Sequence, residues 1–167
     1  SIRSVLTDLT VVDDRLTQTP AAASWCEARS RLPDGVWTAL HLQSISRLEQ
    51  LTSGQFLYKN RPVFLIDGST LSMPDAPELI ERFGYAGGRY GNSRFPVGRI
   101  TFIVLAGANG VWDYRFADFR TSEDAQLHQM WDRLPSGSIC VFDRQFSSFY
   151  NLAKLLQHGV DSISRLH

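Results

Sequence analysis

The chain has 167 residues, 43% of them hydrophobic, with 17 basic and 17 acidic side chains and so no formal net charge. That size accommodates one ordinary core with a small extension rather than two large domains, and the zero balance gives no global electrostatic argument for a polyanionic partner. No window approaches the roughly 18 consecutive apolar residues of a membrane helix, and SIRSVLTDLT lacks the basic start and apolar core of a signal peptide, so the sequence reads as soluble and cytoplasmic, with no membrane partner.

Residues 1–58 read as a helical N-terminal region. SWCEARSRL is a short helical candidate carrying Arg29 and Arg31, where solvated charge is the default. From Pro33, a residue suited to a first helical turn, Trp37, Leu40, Leu48 and Leu51 fall on one face at a period of 3.6. YKNRP breaks that pattern, and residues 59–167 have the texture of a sheet domain. VFLID (63–67) is a buried strand. MPDAPELIERFG and YAGGRYGNSRFPVG follow as a long irregular excursion of a kind usually kept for function, and Arg82, Arg89, Arg94 and Arg99 bring four arginines with no acid between 82 and 99. RITFIVLA (99–106) is a second strand, turned by Asn109-Gly110 into VWDYRFA (111–117), where Trp112, Tyr114 and Phe116 alternate with Asp113 and Arg115 as if one face met solvent. TSEDAQLHQMWDRL predicts a helix with an apolar stripe at Leu127, Met130, Trp131 and Leu134. SICVFD (138–143) is a fourth strand, SSFYNLAKLLQHG a helix capped by Ser147 and closed by Gly159, and VDSISRL a fifth strand. Cys26 and Cys140 are expected as two buried free thiols, and no histidine stands at metal-ligand spacing.

Right-handed crossovers and the hairpin predict an α/β fold with a mixed sheet in the strand order 3-2-1-4-5. The first and fourth strands are then parallel neighbours, and each ends in an aspartate, Asp67 and Asp143. A charge closing a buried strand is costly without a partner, and two carboxylates at one sheet edge repel unless a cation lies between them. Oxygen-only ligands suit Mg²⁺ or Mn²⁺, and two such ions would serve phosphodiester displacement. The alternative is that each aspartate caps its own turn.

DGSTLSMPDAPE (67–78), GNSRFPVGRITFIVLAGANG (91–110) and CVFDRQFSSFYNLAKLLQHGVDSISRLH (140–167) resemble the core of DDE transposases of the insertion-sequence-four type, a similarity running from about Trp25 to the last residue. The resemblance implies a ribonuclease-H-like fold and a bacterial, nucleoid-associated enzyme. Such an enzyme cuts DNA at transposon ends and joins it to a target, with two bound Mg²⁺ (or Mn²⁺) ions and a homodimer in the DNA complex. By position, Asp67 is the first acid of the catalytic, metal-binding set and Asp143 the second. The family's Asp-Arg-Gly-Phe is here Asp143-Arg144-Gln145-Phe146, and Gln145 is expected to touch no ligand. The family's third acid is a glutamate in a Tyr-Arg-Glu-Lys signature after a further insertion, and nothing of that kind occurs in this chain. Asp161 falls at the wrong end of the last strand, and Glu123 and Asp124 are not expected to point at the metals. The chain, opening without methionine and ending at RLH, is therefore expected to be a piece of something longer, truncated before the third acid and weak or inactive alone.

Arg94, Arg99, Arg144 and Arg165 are the candidate DNA-binding residues, with surface-loop or salt-bridge roles as the plain alternatives. Three other functions stay open. One is a non-catalytic transposase remnant or DNA-binding regulator. Another is a haloacid-dehalogenase-like phosphatase, disfavoured because Ser69 stands where its second acid belongs. The last is a purely structural α/β domain in which both aspartates are caps.

Overall fold

The computed structural model describes residues 21–52, 57–88 and 91–165. The expected helical character of residues 1–20 and 53–56 falls outside that range, as does Arg89. Residues up to Ser44 belong to one compact unit and those from Ile45 to a second.

Helix α1 (Ala22–Ser30) is the SWCEARSRL segment, and none of its residues is buried. Helix α2 (Asp34–Thr52) starts directly after Pro33. Its expected packing stripe is corrected at two positions, Trp37, 41% exposed, and Leu40, 48%, while the Leu51 side chain lies outside the described residues; Ile45, 5% exposed, enters the core of the second unit. Leu48 lies in that unit too, its side chain against the backbone of Gly110. The last turns of α2 thus pack with the sheet domain.

That domain follows as β1 (Val63–Ser72), α3 (Pro77–Phe83), β2 (Tyr85–Gly88), β3 (Gly91–Leu105), β4 (Gly110–Asp118), α4 (Glu123–Leu127), β5 (Ile139–Phe142), α5 (Phe149–Gln157) and β6 (Asp161–Ser164). In the body of the sheet β1 pairs antiparallel with β3 on one side and parallel with β5 on the other; β4 flanks β3 and β6 flanks β5. The five expected strands thus keep their expected neighbours. The order differs by a sixth strand, β2, which pairs with the N-terminal part of β3. The excursion read as irregular is therefore largely a hairpin arm. Its glycines, Gly87, Gly88 and Gly91, hid the strand character because they bring no apolar alternation, and a register irregularity between Tyr85 and Gly87 breaks the period further.

One face of the sheet carries the core. Phe64 and Ile66 of β1, Ile103 of β3 and Phe142 of β5 are buried, with Leu127, Met130, Trp131 and Leu134 covering them. This stripe was legible, but only Glu123–Leu127 is α-helical, and a short 3₁₀ turn at Trp131–Arg133 completes the segment. In β4 the expected alternation fails. A bulge pairs Ile103 with Asp113 and Val104 with Val111, so Trp112 is the extra residue. It turns inward, stands edge-on to Phe64 at 5.2 Å and donates its indole N–H to the Arg133 carbonyl at 2.7 Å. Beyond the bulge Asp113 is buried, salt-bridged to Arg115 and Arg133, while Tyr114 and Phe116 are 40% and 39% exposed.

Helix α5 is capped by Ser148, whose hydroxyl accepts the Asn151 N–H, and not by Ser147, which instead donates to the Arg144 carbonyl. Gly159 closes it at φ +69°, a conformation that favours glycine. Both cysteines are free, as expected, but Cys26 is exposed. Cys140 is buried, which pushes its thiol pKa up to about 12. Among the described residues no helix is long and apolar enough to cross a membrane.

Candidate functional site

The last paired residues of β1 and β5 are Ile66 and Phe142. One step on, the chain reaches Asp67 and Asp143 at neighbouring positions, on parallel strands of a sheet whose strands lie about 4.8 Å apart. β5 ends there, whereas β1 continues to Ser72 alongside β3 alone. β6 pairs Ser164 with Phe142, so Arg165 continues the row past Asp143.

Both aspartates are exposed. This corrects the expectation of a buried charge on Asp67: β1 is covered on one face only, and Asp67 shares the other with Leu65, which is 40% exposed. Asp67 Oδ1 accepts the Gly68 N–H at 2.9 Å. Asp143 Oδ1 accepts the Gln145 N–H at 2.9 Å and caps the 3₁₀ turn Arg144–Phe146.

A third carboxylate lies at the same edge of the sheet. β4 runs parallel to β1, so its end returns the chain to the edge where β1 and β5 stop, and α4 begins there at Glu123. Ser122 caps α4 through the Ala125 N–H, and the buried Gln126 pins it to β3, accepting from Thr101 N and donating to the Arg99 carbonyl. The Glu123 side chain, 14% exposed, lies directly over Gly68: a Cβ there would fall 2.2 Å from Glu123 Cδ. Its Oε2 accepts from Gln145 Nε2 at 2.7 Å, and its Oε1 is 3.8 Å from Arg99 Nε. Burial pushes its carboxyl above the ordinary glutamate range; Arg99 pulls it back, and the charges of Asp143, Asp67 and Asp124 raise it further.

Glu123 begins α4 at the edge where the two aspartates emerge, near enough for their charges to act on its carboxyl, but it lies over Gly68, on the sheet face opposite the Asp67 side chain. Gln145 does make contact there, since its backbone holds Asp143 and its side chain holds Glu123. The topology already contained the signal for Glu123. Among the described residues, however, no group of three or more His, Cys, Asp or Glu side chains is gathered closely enough to hold a metal ion.

The four arginines separate. Arg99 is committed within the fold: its guanidinium lies 4.5 Å over the Phe119 ring, its Nη1 donates to the Thr121 carbonyl, and only 20% of its side chain is exposed. Arg94 is exposed on β3, 5.8 Å over the Phe95 ring. Arg144 and Arg165 are exposed beside Asp143 and at the end of β6. Asp161 starts β6, where it pairs with Arg61 at the opposite edge from Asp143.

No protein-family model matches the chain. Over 98 residues, 58% of its length, it is 34% identical to an Escherichia coli (strain K12) protein named "Putative transposase InsZ". It spans 33% of that relative's length. A solved structure titled "Mos1 transposase paired-end complex with left transposon end" is 13% identical, with a TM-score of 0.39 over 96% of this chain and 57% of that one, a likeness too loose to bear on function.

Proposed function

We propose that this chain is part of a transposase of the insertion-sequence-four DDE type, with a ribonuclease-H-like core that acts on DNA strands through a divalent ion at Asp67 and Asp143. The observation that carries the reading is the register of β1 and β5, which brings these two aspartates to adjacent positions at one open sheet edge. The 34% identity to the InsZ protein favours the same class. Because the chain spans 33% of that relative, strand cleavage, transfer and assembly with transposon ends, target DNA and a second copy are proposed of the whole protein.

The donor chemistry fits Mg²⁺ or Mn²⁺. Such ions take one or two carboxylates and complete their shells with water and substrate phosphate oxygens, so two exposed aspartates suffice where a three-ligand protein cage is not formed. In both aspartates the hydrogen bond is taken by Oδ1. When bound, the ion supplies neutralisation of charge on the attacking and leaving oxygens of a phosphodiester. Gln145 holds Asp143 through its N–H and Glu123 through its amide, fixing the turn after β5 to the start of α4. Arg144, next to Asp143 in the chain, and Arg165, at the end of β6, are exposed and suit phosphate oxygens approaching the same edge.

A second reading has its own observation: Asp143 caps the 3₁₀ turn and Asp67 binds its neighbouring N–H, as purely structural aspartates would. Mn²⁺ titration followed by electron paramagnetic resonance separates the two. On the metal reading Asp67→Asn and Asp143→Asn each weaken binding by about tenfold or more, with the far-UV circular dichroism unchanged. Equal Mn²⁺ affinity in wild type and both variants leaves the aspartates as caps. DNA binding that persists without any Mn²⁺ binding favours a non-catalytic regulator.

A further inference from the structure

Two adjoining grooves open where α3, the start of β2 and the turn after β4 meet. The first, about 560 Å³, is lined by Gly84, Tyr85, Gly87, Phe119 and Arg120. The second, about 420 Å³, adds Arg82 and Thr121, together with Glu81 and Asp118. Both volumes fall within the roughly 300–1,000 Å³ of ligand clefts.

The first groove has no carboxylate in its wall and combines a guanidinium, two aromatic rings and glycine backbone. In the second, Asp118 is turned into its own loop: Oδ1 accepts from Arg120 N and Thr121 N, and Oδ2 from Thr121 Oγ1. Arg82 and Arg120 are both exposed, Arg82 lying 5.3 Å over the Phe83 ring. The walls are fixed: the Tyr85 hydroxyl donates to Asp75 Oδ1, and Phe119 lies beneath Arg99. Arg99 also links the groove to the carboxylates, because the same guanidinium that covers Phe119 lies beside Glu123, which covers Gly68. A ligand in these grooves would therefore be a short stack of side chains from Asp67.

We propose that these two grooves form a subsite for the phosphodiester backbone of a DNA strand, with Arg120 and Arg82 each contacting a phosphate and Tyr85 and Phe119 as its aromatic walls. Charge complementarity selects this occupant: the first groove holds the Arg120 guanidinium and no carboxylate, and in the second Arg82 and Arg120 are both exposed while Asp118 is held by its own loop, leaving Glu81 as the one acid of the wall that is not so held. The inference rests on the DNA reading given above and assigns residues that reading does not use.

The test is fluorescence anisotropy of the chain on a labelled duplex, and on one of its single strands, across a series of salt concentrations. Arg120→Ala and Arg82→Ala should each lower the slope of log K against log salt by about 0.9 on the duplex, or about 0.7 on the single strand, equally for unrelated DNA sequences. Arg120→Lys should restore the slope, which a structural role for the guanidinium would not allow, and thermal melts should not move because both side chains are exposed. Unchanged slopes on both DNA forms, with wild type binding normally, overturn the subsite and leave the proposed function standing. Wild type that binds neither form at any salt overturns the DNA reading itself.

Discussion

Gly68 offers the sharpest test of the site's geometry. A methyl group added there would lie 2.2 Å from Cδ and 2.4 and 2.6 Å from the two carboxylate oxygens of Glu123. The obstacle is the far end of a flexible side chain, so Gly68→Ala should fold by expelling the Glu123 carboxylate from its place. Expulsion gives up the Gln145 hydrogen bond and the Arg99 ion pair. A hydrogen bond to a charged group contributes about 1.5–3 kcal/mol when buried. Gln145 is exposed, so about 1–2 kcal/mol is the better expectation, and a 3.8 Å pair adds little. Glu123→Ala should cost a similar amount. In that background the methyl group meets no carboxylate, and a strand glycine replaced by alanine gains about 0.5–1 kcal/mol from lower unfolded-state entropy. The double variant should therefore be no less stable than Glu123→Ala, giving a coupling of about 1–3 kcal/mol. Urea unfolding followed by tryptophan fluorescence measures all four proteins. Additive costs would show that Glu123 does not lie over Gly68, and the third carboxylate would leave the site.

Other consequences are open to simpler measurements. Thr101 is fully buried, and its hydroxyl has no partner among the described residues, so Thr101→Val should leave stability unchanged or raise it by about 1 kcal/mol in urea melts. Leu155, 1% exposed, should cost about 2–5 kcal/mol on truncation to alanine, read by the same melts. The raised Glu123 carboxyl means that the folded protein holds this proton more tightly than the unfolded chain. Its contribution is therefore fully present below the ordinary glutamate pKa and is lost as pH rises through the raised value. Unfolding free energies measured against pH in a chelator should show that fall in wild type and not in Glu123→Gln; parallel profiles would refute it.

The strands were legible where apolar runs carry the signal: VFLID, RITFIVLA and SICVFD are short, β-rich and bounded by turn residues, and they became β1, the pairing half of β3, and β5. Their neighbours followed from connection handedness and the Asn109-Gly110 hairpin. What escaped the sequence has particular causes. β2 is built around glycines that make no alternation, Trp112 was misplaced by a bulge that no local pattern announces, and Trp37 and Leu40 keep a helical period without burial. Asp67 was read as buried because a run of apolar residues does not reveal that one sheet face is uncovered.

Glu123 is a different kind of omission, because the sequence did hold the information. Once β3 and β4 form a hairpin beside β1, β4 must run with β1 and deliver the next residues to the edge where Asp67 and Asp143 emerge. The apolar stripe from Leu127 to Leu134 fixes which side of the segment meets the sheet, and Ser122 fixes where α4 starts. What pattern reasoning could not supply is the opening for the side chain. A glycine directly after Asp67 leaves room for the Glu123 carboxylate against β1, and the glutamine two residues after Asp143 reaches it from the end of β5. Gly68 and Gln145 each look incidental in sequence, and they acquire meaning, with Arg99, as the contacts that hold the Glu123 carboxylate. Gly68→Ala should therefore perturb the Mn²⁺ affinity of the aspartate pair less than Asp67→Asn does, since it moves Glu123 and leaves both aspartates in place. An equal loss would mean that Glu123 belongs among the groups that hold the ion.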